Sequence, residues 1–168
     1  MITNLGIKIK SLDQEKYNNF LENVNFHKLT CSCEQSGQLT KHAYYNRRIK
    51  TSKGLIALRI LRIKCKCCGK THALFPKYIV PYSQILLKEH ISIIKAYNDN
   101  SSFESIMMAN ESIDESNINY IIKQYLRYWK ERIASFKIPL DFNMSKQCLK
   151  SFKRQFMQIK CVQNILSS

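Results

Sequence analysis

The spacing of the cysteines constrains this chain more than any other feature. Cys31-Ser-Cys33 is followed, after thirty-one intervening residues, by Cys65-Lys-Cys-Cys68 and then at once by Gly69. Two close thiol pairs at this separation are what a four-thiolate zinc site needs. Each pair spans one edge of a tetrahedron, and the chain between them can leave and return as a β-hairpin. In Cys65-x-x-Cys68-Gly69-Lys70 a tight turn can aim backbone N–H groups at the thiolates, and glycine accepts the positive φ that such a turn demands. The first pair is tighter, with one spacer residue rather than the usual two to four. Cys67 could replace Cys68 and repeat the Cys31-x-Cys33 spacing; Gly69 favours Cys68. Buried reduced cysteines are the alternative to a metal. His72 reads as an outer donor to the site or as an ordinary strand residue, and His27 and His42 as substitutes should Cys31 or Cys33 not bind. Cys148 and Cys161 stand alone and are expected in the core or on the surface.

A disulfide framework is disfavoured: the count of seven is odd, and three thiols crowd into four residues. Met1 to Lys10 has no continuous apolar stretch of the signal-peptide kind, and no apolar run approaches a membrane span. The expectation is a cytoplasmic, reduced protein with no membrane partner.

Charge narrows the partner. The formal net charge is +15, and from Gln35 to Lys88 there are twelve lysines and arginines without one aspartate or glutamate. A one-sign block of this length repels itself unless a polyanion or counterions share its surface. Tyr44, Tyr45, Ile49, Leu55, Ile56, Leu58, Ile60 and Leu61 run through it, so it is a folded unit rather than a basic tail. A folded, basic, zinc-stapled unit points to nucleic acid.

Periodicity places these features. Leu12 to Val24 suits a short amphipathic helix, with Leu12, Tyr17, Phe20, Leu21 and Val24 on its apolar side. Leu39–Lys50 and Leu55–Lys64 read as strands joined by the turn Thr51-Ser-Lys-Gly54, and Thr71–Phe75 as a third strand before Pro76. Beyond Pro81 the spacing turns helical. Ser83–Asn98 carries an i, i+3/i+4 stripe. Ser101-x-x-Glu104 and Ser112-x-x-Glu115 read as capping boxes opening a short helix to Ala109 and a long one toward Ser135. In the long helix Ile118, Ile121, Ile122, Tyr125, Leu126, Trp129 and Ile133 are expected inside; Asn119, Tyr120, Lys123, Gln124, Arg127 and Lys130 are expected outside. Leu149, Phe152, Phe156 and Ile159 continue a helical spacing in the tail. The expected class is α+β: an N-terminal segment over 1–26 and a zinc ribbon (a β-hairpin with a four-cysteine site) over 27–80. A mainly α-helical, helix-turn-helix-like domain over 81–138 and a tail over 139–168 follow. A plain three-helix bundle would give the same pattern.

The stretch Leu58-Arg-Ile-Leu-Arg-Ile-Lys-Cys-Lys-Cys-Cys-Gly-Lys-Thr-His-Ala-Leu-Phe-Pro76, continuing through Val80-Pro-Tyr-Ser-Gln-Ile85 to the tail Arg154-Gln-Phe-Met-Gln-Ile-Lys160, resembles a bacterial domain family of unknown function often found among mobile-element genes. In layout, residues 28–135 are also similar to the N-terminal zinc finger and helix-turn-helix of insertion-sequence transposases, with Lys41-His-Ala-Tyr-Tyr-Asn-Arg-Arg48 at the place of a characteristic strand. The departures are the one-residue spacer in the first cysteine pair and Ala43 where glycine is common. The resemblance implies Cys31, Cys33, Cys65 and Cys68 as metal positions. It also implies DNA, and a transposase or other mobile-element protein, as partners.

Catalysis does not follow from it. Transposases cut DNA with carboxylates holding two metals, and in residues 136–168 the one acid is Asp141. Four glycines form no phosphate-cradling loop. The expected function is a non-enzymatic, zinc-dependent DNA-binding protein. Arg47, Arg48, Lys50, Lys53, Arg59, Arg62 and Lys64 would meet phosphates, and Lys123, Gln124 and Arg127 of the long helix would approach bases. A zinc-stabilised protein-interaction subunit and a structured-RNA binder are the alternatives.

Overall fold

A computed structural model describes residues 3–5 and 12–158; Ile159 and Cys161, singled out above, lie outside them. Asp13 caps the first helix, α1 (Gln14–Glu22), by accepting from the Lys16 N–H at 2.8 Å. Leu12, Tyr17, Phe20, Leu21 and Val24 are all buried, as the stripe predicts. The hairpin strands are β2 (Leu39–Thr51) and β3 (Gly54–Cys65), and the next strand is β4 (Thr71–Pro76). β2 and β3 pair antiparallel from Leu39 opposite Cys65 to Thr51 opposite Gly54, with one irregularity between Lys41 and Ala43.

A short strand not foreseen from sequence, β1 (Thr3–Leu5), adds parallel to β4, so the sheet order is β1-β4-β3-β2. β4 pairs with β3 only over Arg62–Lys64. Past that point Tyr17 fills the gap: its hydroxyl accepts from the Leu61 N–H at 2.9 Å and donates to the Leu74 carbonyl at 3.0 Å. The Arg59 N–H donates to Gln14 Oε1 at 2.7 Å. Helix α1 thus takes over hydrogen bonds that the diverging strands cannot make.

The helices follow as α2 (Leu87–Asn98), α3 (Phe103–Met108), α4 (Glu115–Gln124), a π turn (Tyr125–Trp129), α5 (Lys130–Ser135) and α6 (Met144–Phe152). Several expected starts move. Helix α2 begins at Leu87 rather than Ser83, because Gln84 and Ile85 lie along the β2 edge, where the Lys50 N–H donates to the Gln84 carbonyl at 2.6 Å. Ser102, not Ser101, caps α3 through the Ser105 N–H. Asp114, not Ser112, stands at the N-terminus of α4, and its carboxylate accepts from Lys50 and from the Asn117 side-chain amide rather than capping a backbone N–H.

The long helix is continuous but wider at its π turn, which inserts a residue and shifts the buried stripe. Ile118, Ile121, Ile122, Tyr125, Trp129 and Ile133 are buried, whereas Leu126, expected inside, is 39% exposed. Helix α6 stops at Lys153, which adopts φ 53°. Phe156 is therefore not helical as expected; it still packs edge-on to Trp129, with ring centroids 5.3 Å apart. Two apolar clusters result. One joins α1 to the sheet around Tyr17, Leu58, Ile60 and Phe75; the other gathers the helices around Ile93, Ile118, Trp129 and Phe156.

Candidate metal centre and basic hairpin

The four expected thiols come together at the open end of the hairpin. The Sγ atoms of Cys31, Cys33, Cys65 and Cys68 all lie within 4.8 Å of one another. Cys31 is 3.5 Å from Cys68, and Cys33 is 3.8 Å from Cys65. A tetrahedron with metal–sulfur bonds of about 2.3 Å has edges of about 3.8 Å, so the donor set fits one thiolate-bound metal ion. Cys67 is exposed and outside the cluster.

Two small turns deliver the pairs. The Gly69 N–H donates to the Cys65 carbonyl at 3.0 Å, and the Glu34 N–H donates to the Cys31 carbonyl at 2.9 Å. In each, the residue after the second cysteine is left-handed: Gly69 has φ 71° and Glu34 φ 66°. The shorter spacer of the first pair is thus absorbed by a tighter turn, at the cost of a strained non-glycine residue. His72 is buried, with Nε2 3.2 Å from Cys31 Sγ. It stands beside the cluster as an outer partner. His27 and His42 are exposed and are not among the clustered donors.

The electrostatics are those of thiols packed without enough positive charge. The Cys33 N–H, offset in part by burial and aided by His72, lowers Cys31 to about 5. Cys33 accepts from the Gln35 N–H, which lowers it, yet burial and the neighbouring sulfurs push it up to about 12. One sulfur ionises readily and the next resists. A cation at the centre removes that conflict by deprotonating all its ligands.

The basic residues expected to meet phosphates divide into two groups. Arg47 is half-buried: its Nη2 donates to the Val80 carbonyl at 3.0 Å and to the Ser83 carbonyl, and its guanidinium lies over the Phe75 ring at 4.7 Å. Lys50 is ion-paired to Asp114. Both were expected on the contact surface. Both instead fasten the hairpin to the following chain, because the carbonyls and the carboxylate there satisfy them first. Arg48, Lys53, Arg59, Arg62 and Lys64 are exposed. Arg59 lies over Tyr44 at 5.3 Å and Arg62 over Tyr45 at 4.6 Å, so each guanidinium is held against a ring.

In the long helix, Lys123 and Arg127 are exposed, but Gln124 is half-buried with its Oε1 enclosed. It does not project as a base reader would. Lys50 also lowers the Asp114 carboxyl by hydrogen bond and charge, so the first turn of α4 is docked on the hairpin. Glu89, buried at the start of α2, accepts from the Ser52 N–H at 3.2 Å. No charge pattern in the sequence signals these tip contacts, since their partners lie far apart in the chain.

Fold and site together define a mixed α/β protein in which a three-stranded antiparallel unit, extended by one parallel strand, carries a four-cysteine cluster ahead of a helical core. By sequence the chain belongs to a family described as a domain of unknown function (DUF6431), matched over residues 30–116. That interval holds all four clustered cysteines, the hairpin, α2 and α3. No curated protein and no solved structure matches the chain. Among the described residues no helix is long and apolar enough to cross a membrane.

Proposed function

We propose that this is a zinc-dependent nucleic-acid-binding protein with no catalysis of its own, and that its contact surface is the basic hairpin rather than the long helix. Zinc is the ion that a compact set of four thiolates suits best, and the ribbon it would staple is too small to hold its shape by core burial alone. The observation carrying the function is the acid-free block from Gln35 to Lys88, whose hairpin leaves Arg48, Lys53, Arg59, Arg62 and Lys64 exposed. The resemblance to mobile-element proteins makes DNA the leading partner.

The helix reading loses support because acids hold its N-terminus. Asp114 is tied to Lys50, and Glu115 follows in the first turn. Carboxylates at that end repel phosphates, and the end is not free to enter a groove.

Fluorescence anisotropy with a short DNA duplex, across a salt series, tests the proposal. With five cations engaged, log affinity should fall against log salt with a slope of about −4 to −5. Replacing Arg48 and Lys53 by alanine should flatten it by about two. Absence of duplex and RNA binding at low salt would move the protein to the class of subunits that bind an acidic protein partner.

A further inference from the structure

A groove of about 490 Å³ runs between α1 and the outer face of the hairpin, with Gln14, Asn18 and Glu22 on one side and Lys41, Tyr44 and Arg59 on the other. Its size falls within the range of small-ligand sites. Strand register puts Tyr44 opposite Leu61 and Asn46 opposite Arg59, so tyrosine and arginine are diagonal neighbours on one face. Tyr44 remains 47% exposed although Arg59 lies over its ring.

The opposite wall is fixed. Gln14 Oε1 accepts from the Arg59 N–H, and Gln14 Nε2 donates to Asn18 Oδ1 at 2.8 Å. The Asn18 amide N–H groups and the Glu22 carboxylate complete a set of one donor and one acceptor. A phosphate would be repelled by Glu22. A nucleobase would not: one of its faces can stack on the open side of the Tyr44–Arg59 pair, and its edge carries both amines and carbonyls.

We propose that this groove receives one unstacked nucleobase, making the protein a reader of single-stranded or locally opened nucleic acid. The flanking phosphates lie on Lys41 and Arg48. A base inside an intact duplex has both faces covered by its neighbours and cannot use the site. This inference rests on the nucleic-acid reading above.

The test compares a short single-stranded oligonucleotide with the same sequence closed into a duplex, using zinc-loaded full-length protein and anisotropy. Tyr44→Ala should weaken single-strand binding at least about tenfold and leave duplex binding within about twofold; Tyr44→Phe should retain both. Arg59→Lys keeps the charge and loses the planar stack. It should weaken single-strand binding without changing the salt slope, which covers the case that Tyr44→Ala fails to fold. Equal losses on both forms, or no loss from Tyr44→Ala while Arg48→Ala weakens both, would overturn the groove and keep the nucleic-acid reading. If wild type binds neither form at low salt, both fall.

Discussion

Removing a single oxygen from Tyr17 tests how the sheet is held together. Its hydroxyl is buried between two strands and makes two bonds, from the Leu61 N–H at 2.9 Å and to the Leu74 carbonyl at 3.0 Å. Burial raises the phenol's pKa above its ordinary value, offset in part by the Leu61 N–H, so it is neutral and can donate. Tyr17→Phe keeps the ring and its packing against Phe20, whose centroid is 5.8 Å away. What changes is that one buried N–H and one buried carbonyl lose their partner together. Each such group costs about 1–3 kcal/mol, and β4 is already too far from β3 to close the gap. The expected loss is therefore about 2–6 kcal/mol, against about 0.5 kcal/mol for an ordinary surface change. Urea unfolding of the metal-loaded protein would show a lower midpoint at unchanged slope, and amide exchange at Leu61 would quicken. A loss under about 0.5 kcal/mol with Leu61 still protected would refute the bridge and mean that the strands pair directly.

Reduced protein should carry one zinc ion per chain by metal analysis. Cys65→Ser or Cys68→Ser should release it and unfold the hairpin, while the exposed Cys67→Ser should not; the reverse order would exchange Cys67 and Cys68 as ligands. Buried His90 has its pKa depressed to about 4 from 6.5 by burial, opposed in part by its bond to the Leu86 carbonyl. The unfolded chain therefore takes up a proton first, so stability is full above about pH 6.5 and falls as pH drops toward 4. Unfolding free energies from urea titrations at pH 7 and pH 5 should differ by about 2 kcal/mol more in wild type than in His90→Phe, a comparison that cancels the acid response of the metal site. In the long helix Ile121→Ala should cost about 2–5 kcal/mol and Leu126→Ala about 1 kcal/mol or less in the same assay; equal costs would deny the shift at the π turn.

Much of this architecture is legible in local patterns. The hairpin strands, their turn, the third strand and the apolar side of α1 all follow from alternation, from Gly54 and from helical spacing. The cysteine cluster is legible for the same reason, since close pairs on adjoining turns need little knowledge of the rest. What escapes is whatever depends on distant partners. Ser83 to Leu86 reads as helix but is drawn out along β2, because the Lys50 N–H needs an acceptor. Ser112 reads as the start of the long helix, but Asp114 stands there and reaches a lysine 64 residues away. Arg47 looks like its neighbour Arg48 in sequence; only the carbonyls of Val80 and Ser83 and the ring of Phe75 separate a fastening residue from an exposed one.

Those distant contacts also decide where the positive charge is available. The hairpin contains no acid of its own, so any compensation must come from other elements. It comes at the tip, where Asp114 meets Lys50 and Glu89 caps the Ser52 N–H, and where Arg47 is spent on carbonyls. At the other end Cys31, whose thiol is lowered to about 5, supplies negative charge, and a metal ion held there would organise the thiols around it. Between these anchored ends lie Arg48, Arg59 and Arg62, the latter two set against tyrosine rings, and none of the three forms an ion pair among the described residues. A ribbon clamped at both ends and left uncompensated in the middle is stiff where a ligand would press on it. On the proposed reading it would lose little conformational entropy in binding a polyanion there. Loosening the tip by Asp114→Asn should on this reasoning weaken nucleic-acid binding even though it removes a negative charge, whereas a purely electrostatic surface would bind more tightly. Anisotropy on that variant decides between them.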